Sequence, residues 1–316
     1  MKSHSLPAPF RGIVPPMVTP LLGFDELDVA GLETLIEHIL AGGVQGLFIL
    51  GSTGDGPALS YALRKMVIDR VCRQVAGRVP VLVGITDTAY KEAIDMAEYS
   101  AKAGSASVVL APPYYFHVSQ RDLLRLVESV SKDSPLPFYL YNMPNLTKIT
   151  WEPETVMRAA DFPNVMGLKD SSGDEDYLQS VLDATKHMPE FSVLVGPEHM
   201  LLDGLLNGVH GGVCGGANLF PRLFSSLFDA FNKGNITEAR RLQNRVIEIG
   251  SALYLTGDPE SSYIRGLKTA LEVRGICSGH LARPLLSADE VQKQEIRQHL
   301  SKFPELSQES RTSART

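Results

Sequence analysis

Eight short runs rich in aliphatic and β-branched residues recur along the chain, each followed by a longer stretch of helical period. No other feature of the sequence restricts the fold as much. The runs are Gly12–Val18, Gly46–Leu50, Val79–Ile85, Ser107–Leu110, Pro137–Tyr141, Val165–Lys169, Ser192–Val195 and Val209–Cys214. Between them, stretches such as "DVAGLETLIEHILAGG" place apolar residues three and four apart and stop at glycines, the pattern of amphipathic helices. Parallel strands need crossovers of that length. Eight such units therefore predict an α/β fold, a closed (β/α)8 TIM barrel, with an open doubly wound sheet as the alternative.

After the eighth run the helical pattern continues through "PRLFSSLFDAFNKG", "ITEARRLQNRVIEIGSALYL", "SSYIRGLKTALEVRG" and "SADEVQKQEIRQHLSKF". The expected organisation is a catalytic barrel over residues 1–230, a helical extension packed on it over 231–303, and a disordered polar tail over 304–316. Composition sets the class of partner. A net charge of −6 supplies no basic field, which argues against nucleic acid and anionic membranes and leaves small molecules. No apolar run approaches the roughly 18 residues that span a bilayer. The cysteines, Cys72, Cys214 and Cys277, are odd in number and lack C-x-x-C spacing, so neither disulfide nor zinc site is expected and a cytoplasmic location fits.

In a barrel the chemistry sits where the strands end. The sixth run ends "GLKDSSGD", and alternation puts Lys169 on one face with Val165 and Gly167. A lysine there is a snorkelling surface residue, an ion-pair partner or a reactive amine. Desolvation penalises an ammonium, and a neutral amine can attack a ketone to form a Schiff base. The side chain missing at Gly167 would leave room for the lysine to cross the interior. The fifth run ends "YLYNMPN": Tyr141 is either a packed aromatic at the rim or a phenol that moves protons. Past the fourth, "PPYYF" holds Tyr114 and Tyr115 in a stiff loop, for packing or for function. The eighth passes through "GGVCGGAN", whose glycines admit a ligand or relieve crowding. The second opens into "GSTGDG", which matches neither the phosphate loop G-x-x-x-x-G-K-[ST] nor G-x-G-x-x-G. Its N–H groups and the hydroxyls of Ser52 and Thr53 suit one small planar anion.

In this order, "GSTGDG", "PPYYF", "YNMP", "GLKDSSGD", "GGVCGGAN" and "YIRGLKTAL" resemble the N-acetylneuraminate lyase and dihydrodipicolinate synthase superfamily of Schiff-base pyruvate lyases, from about Phe10 to about Leu300. The resemblance implies that Lys169 forms the imine with a 2-oxo acid such as pyruvate. It makes Tyr141 the general acid and base, and Ser52 and Thr53 the carboxylate clamp, with Ser52 also in a proton relay. Tyr115 would complete that relay from a neighbouring subunit of a homotetramer. Val213 would line the imine through its backbone, and Ser171, Gly196, Glu198 and Gly215 would face the rest of the substrate.

The resemblance also implies that neither metal nor organic cofactor is needed. Where dihydrodipicolinate synthases carry an arginine for the second substrate's carboxylate, this chain has Leu146. Where sialate lyases place Asp-Glu for the sugar tail, it has Glu198 and His199. The expected reaction is therefore cleavage or formation of a C–C bond beside a pyruvyl unit, on a 2-oxo-3-deoxy sugar acid or N-acetylneuraminate. The alternatives are condensation of pyruvate with aspartate semialdehyde, a barrel acting on a phosphorylated substrate, and a noncatalytic 2-oxo-acid sensor.

Overall fold

The computed structural model describes residues 6–254 and 261–304, so the expected tail, apart from Pro304, lies outside the described residues. Eight strands form one all-parallel sheet: β1 (Gly12–Ile13), β2 (Leu47–Ile49), β3 (Val81–Gly84), β4 (Ser107–Leu110), β5 (Phe138–Asn142), β6 (Val165–Asp170), β7 (Ser192–Val195) and β8 (Gly211–Gly212). Each expected run contains or overlaps one of them. Neighbours in sequence are neighbours in the sheet, and β1 pairs with β8. The two remaining edges meet through a parallel bridge between Pro16 and Phe48, where Met17 N–H donates to the Phe48 carbonyl at 2.7 Å and Phe48 N–H to the Pro15 carbonyl at 3.0 Å. The sheet thus curls back onto itself.

Strand alternation sorts the side chains into two layers. Phe48, Leu82, Val109, Tyr139, Tyr141 and Leu194 fill the interior, together with Phe10 and Val14 from the N-terminal segment. Their neighbours in the strands, such as Leu47, Val83, Leu140 and Val193, face the surrounding helices. Val165 departs from the expected face. The pairing of β5 with β6 slips between Phe138 and Tyr139, leaving Met166 as an extra residue, so Val165 joins the helix-side layer while Met166 packs on the interior. The neighbouring strand also requires glycine at 167: a Cβ there would lie 2.1 Å from the Ser192 carbonyl oxygen.

The strands of the first and last runs are shorter than expected. Pro15 and Pro16 have no N–H to donate, which ends β1 early, although Val18 still finds the Asn218 side chain at 3.0 Å. The helices follow their sequence signals: Val29–Ala41 starts at the capping side chain of Asp28, and Glu290–Leu300 at a capping box built on Asp289. Helices Ile236–Leu253 and Ser262–Val273 bury Val246, Leu253, Leu267 and Leu271 in the same apolar layer as the barrel helices. The expected division at 230 falls inside the helix Pro221–Asn232.

Candidate active site

Tyr141 and Lys169 are register partners on β5 and β6, side by side at the carboxyl end of the barrel. Lys169 is only 6% exposed. Its Nζ lies 4.0 Å from the Tyr141 ring centroid and 4.9 Å from that of Phe48, so two aromatic faces support the ammonium. The Tyr141 hydroxyl reaches Ser52 Oγ at 3.4 Å.

The residues just past this pair fix it in place. Asn142 donates to Asp170 Oδ1 at 2.8 Å and accepts from the Trp151 amide at 3.1 Å, while the Trp151 indole donates to the Tyr141 carbonyl at 3.1 Å. Ser172 supplies Asp170 with two further donors. Burial pushes the Asp170 carboxyl up and those donors oppose it.

"GSTGDG" forms a compact turn at the end of β2. Leu50 takes a left-handed φ of 57°, which turns its carbonyl so that a Cβ on Gly56 would lie 2.0 Å from the oxygen. Such strain in a bulky residue needs support from its surroundings. Support comes from Thr19, which donates to the Gly54 carbonyl at 2.7 Å, and from a buried ion pair, Lys268 Nζ to Asp55 Oδ2 at 2.5 Å. Lys268 is wholly buried and also donates to the His280 carbonyl at 2.8 Å. The pair ties the loop to helix Ser262–Val273. Neither residue stood among the expected site residues; charged and polar residues inside one buried stretch of helix were the available signal.

Ser52, Thr53, Tyr141 and Lys169 line one cavity of about 790 Å³ together with Ser171, Gly196, Glu198 and Val213. Eight of the ten expected site residues therefore converge. Gly196 is held to glycine by the Ser171 hydroxyl, which a Cβ would meet at 2.0 Å. Gly215 lies beneath the Tyr263 hydroxyl. Tyr115 is 77% exposed and packs edge-on against Phe116, so it stands apart from this cavity within one chain. Leu146, also on the wall, is half exposed.

Glu198 accepts from the Gly216 amide and from the Tyr254 hydroxyl at 3.2 and 3.3 Å. Burial nevertheless pushes its carboxyl from 4.5 up to about 7. The folded protein therefore keeps a proton at Glu198 where the unfolded chain has released it, so stability falls as pH rises from 4.5 to about 7. Glu198→Gln, which cannot ionise, is expected to lose this component. Its thermal midpoint should gain on that of the native protein across this window and run parallel to it above, whereas parallel curves throughout would contradict the assignment.

A sequence model described as the Dihydrodipicolinate synthetase family matches residues 9–303. A 4-hydroxy-tetrahydrodipicolinate synthase of Methanothrix thermoacetophila is 30% identical over 302 residues, covering 96% of this chain and 100% of the relative. The structure of a dihydrodipicolinate synthase from Bacteroides thetaiotaomicron superposes with a TM-score of 0.91 at 47% identity, covering 93% of this chain and 99% of that one. YagE of Escherichia coli K12, a putative 2-dehydro-3-deoxy-D-gluconate aldolase, has been solved with pyruvate; it superposes with a TM-score of 0.88 at 31% identity, covering 93% and 99%. Sequence model, relatives and solved structures agree over nearly the whole chain, and the chain belongs to the dihydrodipicolinate synthetase family.

Proposed function

We propose that the chain makes or breaks a C–C bond beside a pyruvyl unit through an imine on Lys169, as a carbon–carbon lyase of its family. The observation that carries this reading is the buried Lys169 ammonium 4.0 Å from the Tyr141 ring, with the Tyr141 hydroxyl 3.4 Å from Ser52 Oγ.

Lys169 Nζ attacks C2 of a 2-oxo acid, and the carbonyl oxygen leaves as water. The iminium then draws the electron pair of the C3–C4 bond. In cleavage, Tyr141 takes the proton of the C4 hydroxyl as that bond breaks, giving an aldehyde and an enamine. Protonation at C3 and hydrolysis release pyruvate and restore the amine, while synthesis runs the same steps in reverse. Ser52 and Thr53 hold the carboxylate, and Ser52 relays protons to Tyr141. Val213 lines the imine from just past β8; Ser171, Gly196, Glu198 and Gly215 bound the rest of the substrate.

Tyr115 extends the relay from a second copy of the chain, a role that its outward position fits, within a cytoplasmic homotetramer. The cycle balances without a metal or an organic cofactor. A synthase acting on aspartate semialdehyde is the second reading, favoured by the names of two relatives. The neutral Leu146 on the cavity wall counts against it, because it offers that substrate's carboxylate no bidentate partner.

Turnover of 2-oxo-3-deoxygluconate, N-acetylneuraminate, 4-hydroxy-2-oxoglutarate, and pyruvate with aspartate semialdehyde tests the reading. Release of pyruvate from a hydroxylated 2-oxo acid is expected. Condensation with the semialdehyde alone would establish the second reading, and turnover of none would leave a sensor.

A further inference from the structure

Two consecutive glycines leave the last strand, and each is demanded by a tyrosine from the C-terminal helical layer. A Cβ on Gly215 would lie 1.5 Å from the Tyr263 hydroxyl, and one on Gly216 would lie 2.8 Å from the Tyr254 hydroxyl and 2.9 Å from Glu198 Oε2. No side chain at 215 is compatible with Tyr263 where it stands. The two tyrosine rings pack edge to face with centroids 4.8 Å apart. Tyr254 bridges both Glu198 oxygens, and the Tyr263 oxygen makes a polar contact with Thr53. Both tyrosines and Glu198 face the cavity that holds Lys169. A helix outside the barrel thus delivers a phenol to the carboxylate clamp itself.

We propose that Tyr263, seated over Gly215 beside Thr53, is a specificity-determining residue that, with Tyr254 and Glu198, restricts the acceptor to an uncharged, hydroxyl-bearing aldehyde. This rests on the reading of Lys169 as the imine-forming residue. Charge supports the choice of class. Lys169 is the only lysine or arginine lining this cavity among the described residues, and the reaction consumes its amine. Residues 255–260, between the two tyrosines, contain neither. Arg64, at the wall of the adjoining cavity, is already bound to the carbonyls of Leu59 and Pro57 and to Asp87. Among the described residues an anionic tail would find no lysine or arginine beside Glu198 to pair with, whereas a hydroxyl can donate to Oε2 and accept from a phenol.

The test compares kcat/KM for D-glyceraldehyde and for succinic semialdehyde at saturating pyruvate. The native protein is expected to favour glyceraldehyde. Tyr263→Phe, which keeps the ring, should lower that preference roughly tenfold or more, as expected when a buried hydroxyl partner is lost. Gly215→Ala should lower it too, by displacing the ring. An unchanged ratio in Tyr263→Phe, or a native preference for the semialdehyde, would overturn the assignment. Borohydride trapping of pyruvate on the native protein keeps the two readings apart: trapping with an unchanged ratio defeats this inference alone, and no trapping defeats both.

Discussion

Lys169→Arg is expected to lower turnover by about four orders of magnitude or more, because the covalent route carries most of an acceleration that in enzymes is typically about 10⁶-fold or greater. Arginine is the discriminating substitution. It keeps a positive charge near the faces of Phe48 and Tyr141, where the Lys169 ammonium now lies at 4.9 and 4.0 Å. A guanidinium stays protonated in proteins and has no free amine to attack a ketone. If the lysine served only to hold the substrate carboxylate by charge, arginine would preserve a substantial part of the activity and mainly shift KM. If the amine is the nucleophile, kcat collapses. Lys169→Ala should be as inactive, and its fold can be followed by circular dichroism and thermal midpoint.

Tyr141→Phe is expected to lower kcat by roughly two to four orders of magnitude, the range for losing a general acid or base. The ring packs in the interior against Phe48, edge-on at 6.5 Å, and phenylalanine keeps that packing. What disappears is the hydroxyl that meets Ser52 Oγ at 3.4 Å. Imine formation and C–C bond breaking use that hydroxyl differently. Steady-state turnover should fall while pyruvate still adds to Lys169, so single-turnover kinetics would show trapping ahead of a slow bond-breaking step. Near-normal kcat would remove Tyr141 from the mechanism.

The barrel was legible because β-branched runs and amphipathic helices alternate with different periods, and each expected run coincides with a strand at least in part. The ends of runs were less legible. Val14 to Val18 read as strand by composition, yet the prolines at 15 and 16 hand their pairing to Phe48 and Asn218. The slip that puts Met166 on the interior depends on how two strands pair, which single-strand alternation does not encode.

At the site, residues at strand ends could be found because the barrel sends every strand end to one face. Lys169, Tyr141, Ser52 and Thr53 are all of this kind. Tyr254, Tyr263 and Lys268 come from helices beyond the barrel, and their spacing from the strands carries no signal of where those helices dock. "YIRGLKTAL" did hold a usable sign, since Arg265, Lys268 and Thr269 lie within one buried stretch of helix, which is costly unless each has a partner. Tyr115 marks the limit set by a single chain: 77% exposed, it has its proposed partner only in another copy.

The central claim is that Lys169 forms a covalent imine, and borohydride reduction tests it directly. The protein is incubated with pyruvate, reduced, and its intact mass and peptides are measured. The account predicts one reduced pyruvyl adduct per chain, on the peptide containing Lys169, and none in Lys169→Ala. An adduct on another lysine, or no adduct across the pH range in which the protein is folded, would contradict it.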